Sequence, residues 1–491
     1  MMNIHLTIVL LLIAAFVYTL LPFAFRKGFL LLFNAAFLLS FGVYGAVIFL
    51  TVAAVAHFSS AFLHDAPGSA RKATLWLAVA VVTALFFLSK GLLTSAWIGK
   101  NGLFGFGAQT AGPLLGTAGT VGLSYYSFRA LGYIVDRYHR RIHVLPFRDL
   151  CLYLSFFPHF LSGPIEKAGS FFSKLSKAKD FDYRSATDGL LLIAWGVFQK
   201  TVVADRLGVY VDTVYSDPGM FGSVQIVLAT VFYSVQIYCD FCGYTNIAIG
   251  LCTVMGFESA VNFKQPYAAG SISDFWSRWH ISLSQWLRDY VFLPLSYSLL
   301  KRPFLSFVGG KTRERLVYAA SSLSTMFLCG LWHGSRSTYL LWGILHGAFL
   351  SFGRLTAGAR ARMWYSLGFS RTNAVRSVLA RSTVFALVLC SWAVFRAGSG
   401  HDVISLLRNV LSAEPVRGDL AGGLMTGDFL IAMMLVPMIL SIQWVQERAP
   451  LKERLRESPL LVRWALYIAL ILSIQLLPME KGPERFIYIG Y

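Results

Sequence analysis

The sequence predicts an all-α membrane protein whose helices cross the bilayer many times. Its 491 residues are 56% hydrophobic and only 14% charged, whereas soluble globular proteins carry about 25% charged residues. Helices suit such a chain because they pair their backbone groups internally, without water. We therefore expect one membrane-embedded domain over residues 1–491, with 479–491 as an extracytoplasmic tail. About eleven or twelve transmembrane helices, plus re-entrant and interfacial helices, follow from the ~20 residues that one span requires.

The charge pattern indicates that the protein contacts anionic membrane lipid. The formal net charge is +19, and in membrane proteins such an excess lies in cytoplasmic loops beside anionic lipid. The basic residues are scattered between apolar runs, without a soluble basic domain. Membrane lipid is therefore an expected partner, and nucleic acid is not.

The first long apolar segment must fold back on itself. Between Lys27 and Asp65 the sequence contains no Asp, Glu, Lys or Arg residue. A single helix over 28–64 would be about 55 Å long, against a hydrocarbon core of about 30 Å. The turn is predicted at Phe41-Gly-Val-Tyr-Gly45, and residues 73–89 form the next span.

The segment 150–165 is apolar but contains Pro158, Gly163 and Pro164. This pattern predicts a re-entrant hairpin buried in protein rather than a simple span. Residues 166–184, with lysines among phenylalanines, predict an interfacial helix. Further spans are predicted at 187–213, 221–257, 382–395, 429–446 and 464–478.

Two histidines, His280 and His333, lie in otherwise apolar surroundings, where ionisable groups are costly and often functional. Residues 274–290 have apolar and aromatic side chains at three- and four-residue steps, which predicts a helix. Asp274 and Arg278, four residues apart, can pair on its polar face. The same pattern also fits a plain interfacial helix.

His333 follows the apolar run 321–331 and is flanked by Gly330 and Gly334. Glycines allow close approach of a backbone or a ligand. An imidazole near neutral pH can accept a proton from a hydroxyl, as acyl transfer to an alcohol requires. No Gly-x-Ser-x-Gly motif accompanies it, so direct or tyrosine-relayed transfer is favoured over a Ser-His-Asp triad. A histidine that only packs in the helix core is the alternative.

No metal site is expected. Cys239-Asp-Phe-Cys242 has the spacing of a metal or redox motif, but no second pair or histidine accompanies it. The six cysteines all lie in apolar segments and are predicted to be free thiols.

Several longer motifs run through most of the chain. They are Gly122-Leu-Ser-Tyr-Tyr-Ser-Phe-Arg129, Phe156-Phe-Pro-His-Phe-Leu-Ser-Gly-Pro-Ile-Glu166, Tyr238-Cys-Asp-Phe-Cys-Gly-Tyr-Thr-Asn246, Asn262-Phe263, Pro266-Tyr267, Asp274-Phe-Trp-Ser-Arg-Trp-His280, Trp286-Leu-Arg-Asp-Tyr290 and Gly330-Leu-Trp-His-Gly334. In this set the chain resembles the membrane-bound O-acyltransferase family, in the bacterial branch that modifies cell-envelope polysaccharides. The chain departs from the usual pattern at His159, Cys242 and Asn246, which leaves substrate contacts there open.

The resemblance implies a funnel from the cytoplasm, where a thioester donor enters, joined to a tunnel leading outward. It implies that His333 is the catalytic histidine and His280 a second important one. The other positions that it assigns to the substrate and donor funnel are Asp240, Asn262, Arg278, Trp279, Arg288 and Asp289.

The resemblance also implies a multi-pass protein of the bacterial cytoplasmic (inner) membrane. The donor would be acetyl-CoA, with no tightly bound cofactor. The acetyl group would pass to an extracytoplasmic acetyltransferase or hydrolase-like partner. An exported or cell-wall polysaccharide would be the final, indirect acceptor.

The last residues, Phe486-Ile-Tyr-Ile-Gly-Tyr491, resemble a terminal aromatic motif of envelope acyltransferases or their small partners. The positive-inside rule places this tail outside. Tyr488 could then carry the acyl group as an ester to the partner. An aromatic anchor at the membrane interface is the simpler alternative.

Three other functions remain open from the sequence. One is D-alanyl transfer from a carrier protein to teichoic acid or a similar polymer. Another is transport of an intact lipid or glycan, although transporters often show repeated halves and no repeat is visible here. The third is a non-enzymatic scaffold of a polysaccharide export complex.

Overall fold

The computed structural model is helical wherever it describes the chain. The described residues are 4–89, 121–178, 180–303, 309–334, 336–370, 373–412, 414, 427–449 and 451–478. Within these ranges there are helices and turns and no strand. The predicted all-α class is therefore confirmed.

The described residues in the first part of the chain form nine α-helices. They are α1 (Ile4–Leu20), α2 (Phe23–Leu39), α3 (Val43–Asp65), α4 (Gly68–Ser89), α5 (Leu123–Tyr138), α6 (Phe147–Ser155), α7 (Phe157–Phe160), α8 (Ala168–Leu175) and α9 (Tyr183–Phe198). A π-helical turn, Gln199–Ala204, continues α9 into the next helix.

The remaining described helices are α10 (Asp205–Ser216), α11 (Ser223–Val254), α12 (Ile272–Arg278), α13 (Ile281–Leu287), α14 (Leu293–Leu300), α15 (Gly310–His333), α16 (Ser337–Leu355), α17 (Ala357–Ser366), α18 (Ala374–Arg396), α19 (Gly400–Leu411), α20 (Gly427–Arg448), α21 (Leu451–Glu457) and α22 (Leu460–Leu476). A second π-helical turn, Arg288–Phe292, joins α13 to α14.

The chain forms two compact units. One contains the described residues within Met1–Val197 and Gly243–Val261, and the other contains those within Phe198–Cys242 and Asn262–Gly482. The single domain over 1–491 stays a prediction.

Among the described residues, five helices are long and apolar enough to cross a membrane. They are Val43–His64, Gly68–Ser89, Ser223–Val254, Ala374–Arg396 and Gly427–Arg448, and two shorter apolar helices are Leu6–Leu20 and Leu460–Leu476. The chain is thus a polytopic membrane protein, as predicted. The total of eleven or twelve spans stays a prediction.

The predicted turn in the first long apolar segment is confirmed. The helix α2 ends at Leu39 and α3 begins at Val43. Between them Gly42 has a φ of +106°, a backbone conformation that glycine adopts at little cost. The fold-back therefore lies inside the stretch that the sequence indicated.

The segment 150–165 is broken, as its prolines and glycines predicted, and a buried polar cluster holds it. Helix α6 ends at Ser155 and α7 is only four residues long. Arg129 donates to the carbonyl of Tyr153 (2.7 Å) and to Nδ1 of His159 (2.7 Å). Because the guanidinium only donates, Nδ1 accepts, and His159 Nε2 donates to Ser259 Oγ at 2.8 Å. His159 thus secures the backbone of this unit, while the re-entrant location of the segment stays a prediction.

Helices α15 and α16 form a close antiparallel hairpin. A Cβ built on Gly330 would lie 2.4 Å from the carbonyl oxygen of Tyr339, and one on Gly343 would lie 2.3 Å from that of Met326. No side chain fits at such distances, so the glycines let the two backbones touch. This hairpin carries His333 at the end of α15.

Candidate functional site

The continuous helix predicted for 274–290 is wrong. Helix α12 ends at Arg278, and α13 begins only at Ile281. Between them His280 has a φ of +41° and a ψ of 56°, a left-handed conformation that non-glycine residues seldom adopt. Such local strain persists where surrounding contacts impose it, often at functional sites.

Asn262 imposes this break. Its backbone carbonyl accepts a hydrogen bond from Ile281 N at 2.9 Å. Its side-chain Oδ1 accepts from the backbone N (3.1 Å) and the hydroxyl (2.9 Å) of Ser282. Two residues later Lys264 N donates to the carbonyl of Arg278 at 2.9 Å. These contacts join residues 14 to 20 positions apart in the sequence, and helical periodicity carries no trace of them.

The same amide fixes the protonation of the His280 ring. Asn262 Oδ1 lies 3.1 Å from His280 Nδ1. Because Ser282 N–H also donates to this Asn262 atom, the atom is an acceptor oxygen, and Nδ1 must carry the hydrogen. The lone pair of the imidazole therefore lies on Nε2. Burial lowers the pKa of His280, so the ring is neutral and its Nε2 is a hydrogen-bond acceptor.

His280 and His333 flank one tryptophan. The ring centroid of Trp332 lies 6.5 Å from that of His280 and 4.5 Å from that of His333. Phe241, from α11, contacts the opposite side of His280 at 4.6 Å. The two histidines predicted from the sequence are therefore brought to one site.

His333 is buried in an aromatic cluster. Its ring centroid is 5.2 Å from Trp342, 5.0 Å from Phe395 and 6.2 Å from Tyr339. Immediately after it, Gly334 ends the helix with a φ of +155°. The histidine thus lies at a helix end, in low-dielectric surroundings that strengthen hydrogen bonds.

A third histidine, His346, was not among the predicted site residues. Trp276 Nε1 donates to its Nδ1 at 3.2 Å, and its Nε2 donates to Ser391 Oγ at 3.0 Å. An indole N–H only donates, so both ring nitrogens of His346 have fixed roles. His346 therefore links α12, α16 and α18. Its ring centroid lies 4.9 Å from that of Trp342.

Trp279 and Arg278 support the site from the broken helix. The Trp279 ring stacks on Phe275 (5.6 Å) and contacts Trp392 (5.0 Å). Arg278 donates to Asp274 at 2.7 Å, which confirms the predicted pair, and to both carboxylate oxygens of Glu447. Arg278 therefore ties α12 to the end of α20.

Asp240 lies in a buried ion cluster. Lys200 Nζ is 2.7 Å from Asp240 Oδ1 and 2.7 Å from Asp205 Oδ1. Asp240 and Lys200 are both almost fully buried. Lys200 was missed from the sequence, although a lysine within one predicted span and the lone acid of another, Asp240, are the signature of such a pair.

Arg288 and Asp289 pair with each other at 2.9 Å, on the π-helical turn after α13. The Arg288 side chain is 60% exposed, so it remains open to a charged ligand. Tyr488, the proposed acyl carrier, lies outside the described residues.

The site offers acid–base chemistry. It holds a neutral imidazole with its lone pair on Nε2 at His280 and a second buried imidazole at His333. An imidazole can take a proton from an attacking hydroxyl and return it to a leaving group. Within the described residues no cluster of three His, Cys, Asp or Glu side chains has the arrangement of a metal site.

Known proteins give an independent comparison. The chain is 33% identical over 288 residues to a probable alginate O-acetylase of Pseudomonas fluorescens, covering 57% of this chain and 52% of that protein. It is 30% identical over 273 residues to the peptidoglycan O-acetyltransferase of Helicobacter pylori, covering 55% and 48%. It is 29% identical over 237 residues to the teichoic acid D-alanyltransferase of Bacillus subtilis, covering 47% and 58%.

The chain spans about half the length of these curated relatives. The profile of the MBOAT, membrane-bound O-acyltransferase family, matches residues 73–389. This range is more than half of the chain and contains both histidines, Asn262 and the α15–α16 hairpin. The chain therefore belongs to the membrane-bound O-acyltransferase family.

Proposed function

We propose that this protein moves an acetyl group from acetyl-CoA in the cytoplasm through the membrane for O-acetylation of an exported or cell-wall polysaccharide. The observation that carries the proposal is the pair of buried histidines around Trp332, within 6.5 Å of its ring centroid. The names of two relatives, an alginate O-acetylase and a peptidoglycan O-acetyltransferase, favour acetyl over other acyl groups.

In this proposal the two histidines have different tasks. His333 takes the proton from the acceptor hydroxyl as the oxygen attacks the thioester carbonyl. His280, held by Asn262 with its lone pair on Nε2, acts toward the donor. The exposed Arg288 binds the negative charge of the CoA phosphates, a role that guanidinium groups suit.

The test is acyl transfer by the purified chain in lipid vesicles that contain [14C]acetyl-CoA. His333→Ala should abolish transfer to protein or polymer, while the variant assembles in the membrane at the normal level. A scaffold or transporter subunit would support normal polymer acetylation with His333→Ala. That result would overturn the proposal.

The second candidate is D-alanyl transfer from a carrier protein, since a teichoic acid D-alanyltransferase is among the relatives. Supplying D-alanyl-loaded carrier protein and acetyl-CoA in competition distinguishes the two donors. We expect the acetyl label to be transferred and the D-alanyl label to remain on the carrier. The opposite result would establish the second candidate.

We also propose that this chain lies in the bacterial inner membrane and that Tyr488 carries the acetyl group as an ester. An extracytoplasmic acetyltransferase or hydrolase-like partner would then take the acetyl group from Tyr488. Tyr488→Phe keeps the aromatic ring and removes the hydroxyl. By mass spectrometry, the C-terminal peptide of this variant should lack the acetyl adduct that the peptide of the parent chain carries. Full polymer acetylation by Tyr488→Phe would leave the tail as a membrane anchor only.

A further inference from the structure

The indole groups of Trp276 and Trp342, whose ring centroids are 5.9 Å apart, differ in one respect. Trp276 has its N–H satisfied, because His346 accepts it at 3.2 Å. Trp342 is only 1% exposed, and no described residue accepts a hydrogen bond from its Nε1. A buried donor without an acceptor costs about 1–3 kcal/mol. Buried tryptophans usually find a partner for this group.

The ring of Trp342 is held on several sides. His333 meets it at 89°, with the ring centroids 5.2 Å apart. Trp392 stacks on it at 6.1 Å, and His346 contacts it from the next helical turn at 4.9 Å. The indole ring is therefore held in place beside His333, the base of the proposed reaction.

We propose that the Trp342 indole N–H binds the carbonyl oxygen of the acyl thioester and stabilises the negative charge that develops there. The inference rests on the proposed acyl transfer at His333. A donor fixed before the reaction stabilises an oxyanion more than it stabilises the neutral carbonyl, and such donors contribute strongly to catalysis.

In the step, the acceptor oxygen forms a bond to the carbonyl carbon while His333 takes the hydroxyl proton. The carbonyl electron pair moves onto oxygen, where the Trp342 N–H donates to it. Collapse of this intermediate re-forms the carbonyl and breaks the carbon–sulfur bond. The proton on His333 then passes to the leaving thiolate, giving CoA thiol and an acetyl ester.

The sharpest test replaces the indole nitrogen alone. Benzothienylalanine at position 342, inserted by nonsense suppression, keeps the bicyclic shape and lacks the N–H. We expect kcat to fall about 100-fold or more, the range found when one oxyanion donor is removed. The KM for acetyl-CoA should rise by a smaller factor than kcat falls, because the donor binds the neutral carbonyl more weakly than the oxyanion. Trp342→Phe provides a second variant in which the ring is smaller.

Thermal unfolding separates catalysis from structure. Because the N–H has no acceptor among the described residues, its removal should leave the unfolding temperature of the ligand-free protein unchanged or slightly higher. Trp464→Phe, at an exposed tryptophan of α22, is the control for loss of an indole and should retain full kcat. A kcat for the benzothienylalanine variant equal to that of the parent chain would overturn the inference.

An inhibition measurement tests whether the Trp342 N–H acts on the carbonyl oxygen of the donor. S-ethyl-CoA lacks the carbonyl oxygen and should inhibit the parent chain and the variant equally. Acetonyl-CoA keeps a carbonyl and should inhibit the variant less well. Equal inhibition by acetonyl-CoA would also contradict the inference. If the parent chain transfers no acyl group from any thioester, the proposed function fails, and the inference fails with it.

Discussion

At the residue scale, Asn262 is the side chain that gives His280 its chemistry. One Oδ1 atom accepts from the His280 ring, Ser282 N and Ser282 Oγ. It therefore sets both the left-handed backbone at His280 and the nitrogen on which the lone pair lies. The motif identified Asn262 as a site residue, but this double role follows only from the contacts.

Replacing Asn262 separates these contributions. Asn262→Ala leaves three buried donors without their acceptor, and each costs about 1–3 kcal/mol. We expect a loss of acyl transfer of at least 10-fold and a lower unfolding temperature. Asn262→Asp keeps an acceptor oxygen and should retain more activity than Asn262→Ala. Initial rates with [14C]acetyl-CoA measure both variants.

The matched control is Ser277→Ala, because the exposed Ser277 hydroxyl bonds only to Asp274 within its own helix. Its rate should equal that of the parent chain. Equal rates for Asn262→Ala and Ser277→Ala would show that the orientation of His280 is unimportant for transfer.

A second residue-scale prediction concerns the buried cation. Lys200→Met removes the positive charge between Asp205 and Asp240, and an unpaired buried carboxylate typically costs about 3–5 kcal/mol. We expect poor yield and a markedly lower unfolding temperature, measured by tryptophan fluorescence in detergent. Arg288→Met breaks an exposed pair, which is worth about 0–1 kcal/mol, and should unfold as the parent chain does. Similar unfolding of both variants would contradict a stabilising role for Lys200.

At the scale of elements, the α15–α16 hairpin determines where His333 and Trp342 lie relative to each other. Both residues belong to helices whose backbones touch at Gly330 and Gly343. A Cβ added to either glycine would lie within 3.4 Å of the Cα atom of the other. Because packed helices transmit small displacements, a shift at the glycines reaches the site.

Gly343→Ala tests this hairpin. Its Cβ would lie 2.3 Å from the Met326 carbonyl oxygen, and overpacking of this kind costs about 1–3 kcal/mol. We expect a lower unfolding temperature together with a lower kcat. Gly358→Ala, in α17, meets nothing within 4 Å, and gains about 0.5–1 kcal/mol of helix propensity. If Gly343→Ala behaved like Gly358→Ala, close backbone contact would not be required.

At the scale of the whole molecule, the apolar runs predicted most helices because length and hydropathy alone define a membrane helix. The turn at Gly42 followed from the same argument. The break at His280 did not, since the helical pattern of 274–290 continues through it and the cause, Asn262, is distant in sequence. Lys200 and Trp342 were missed because their roles depend on which neighbours they meet in space.

Contacts between two loops of the second unit predict how this unit is oriented in the membrane. The loop before α11 meets the segment after α19, where Asn409 Nδ2 donates to the Pro218 carbonyl at 2.9 Å and Ser223 N donates to the Glu414 carbonyl at 3.2 Å. Helix α18 runs from the basic segment 354–381 to Arg396, which pairs with Asp212 of α10 at this same end. Because basic segments stay in the cytoplasm, both loops should lie outside.

Single cysteines report this orientation. Ser216→Cys lies at the exposed end of α10, next to the first loop, and His401→Cys lies at the exposed start of α19, the helix whose Asn409 contacts that loop. Ser366→Cys lies at an exposed position of α17. A membrane-impermeant maleimide should label the first two in intact cells and the third only after permeabilisation. The parent chain, whose free cysteines are mostly buried, gives the background in parallel. Labelling of Ser216→Cys and His401→Cys from opposite sides of the membrane would contradict the contacts between the two loops. Labelling of Ser366→Cys in intact cells would show the opposite orientation, and would therefore contradict the proposed cytoplasmic entry of the acyl donor.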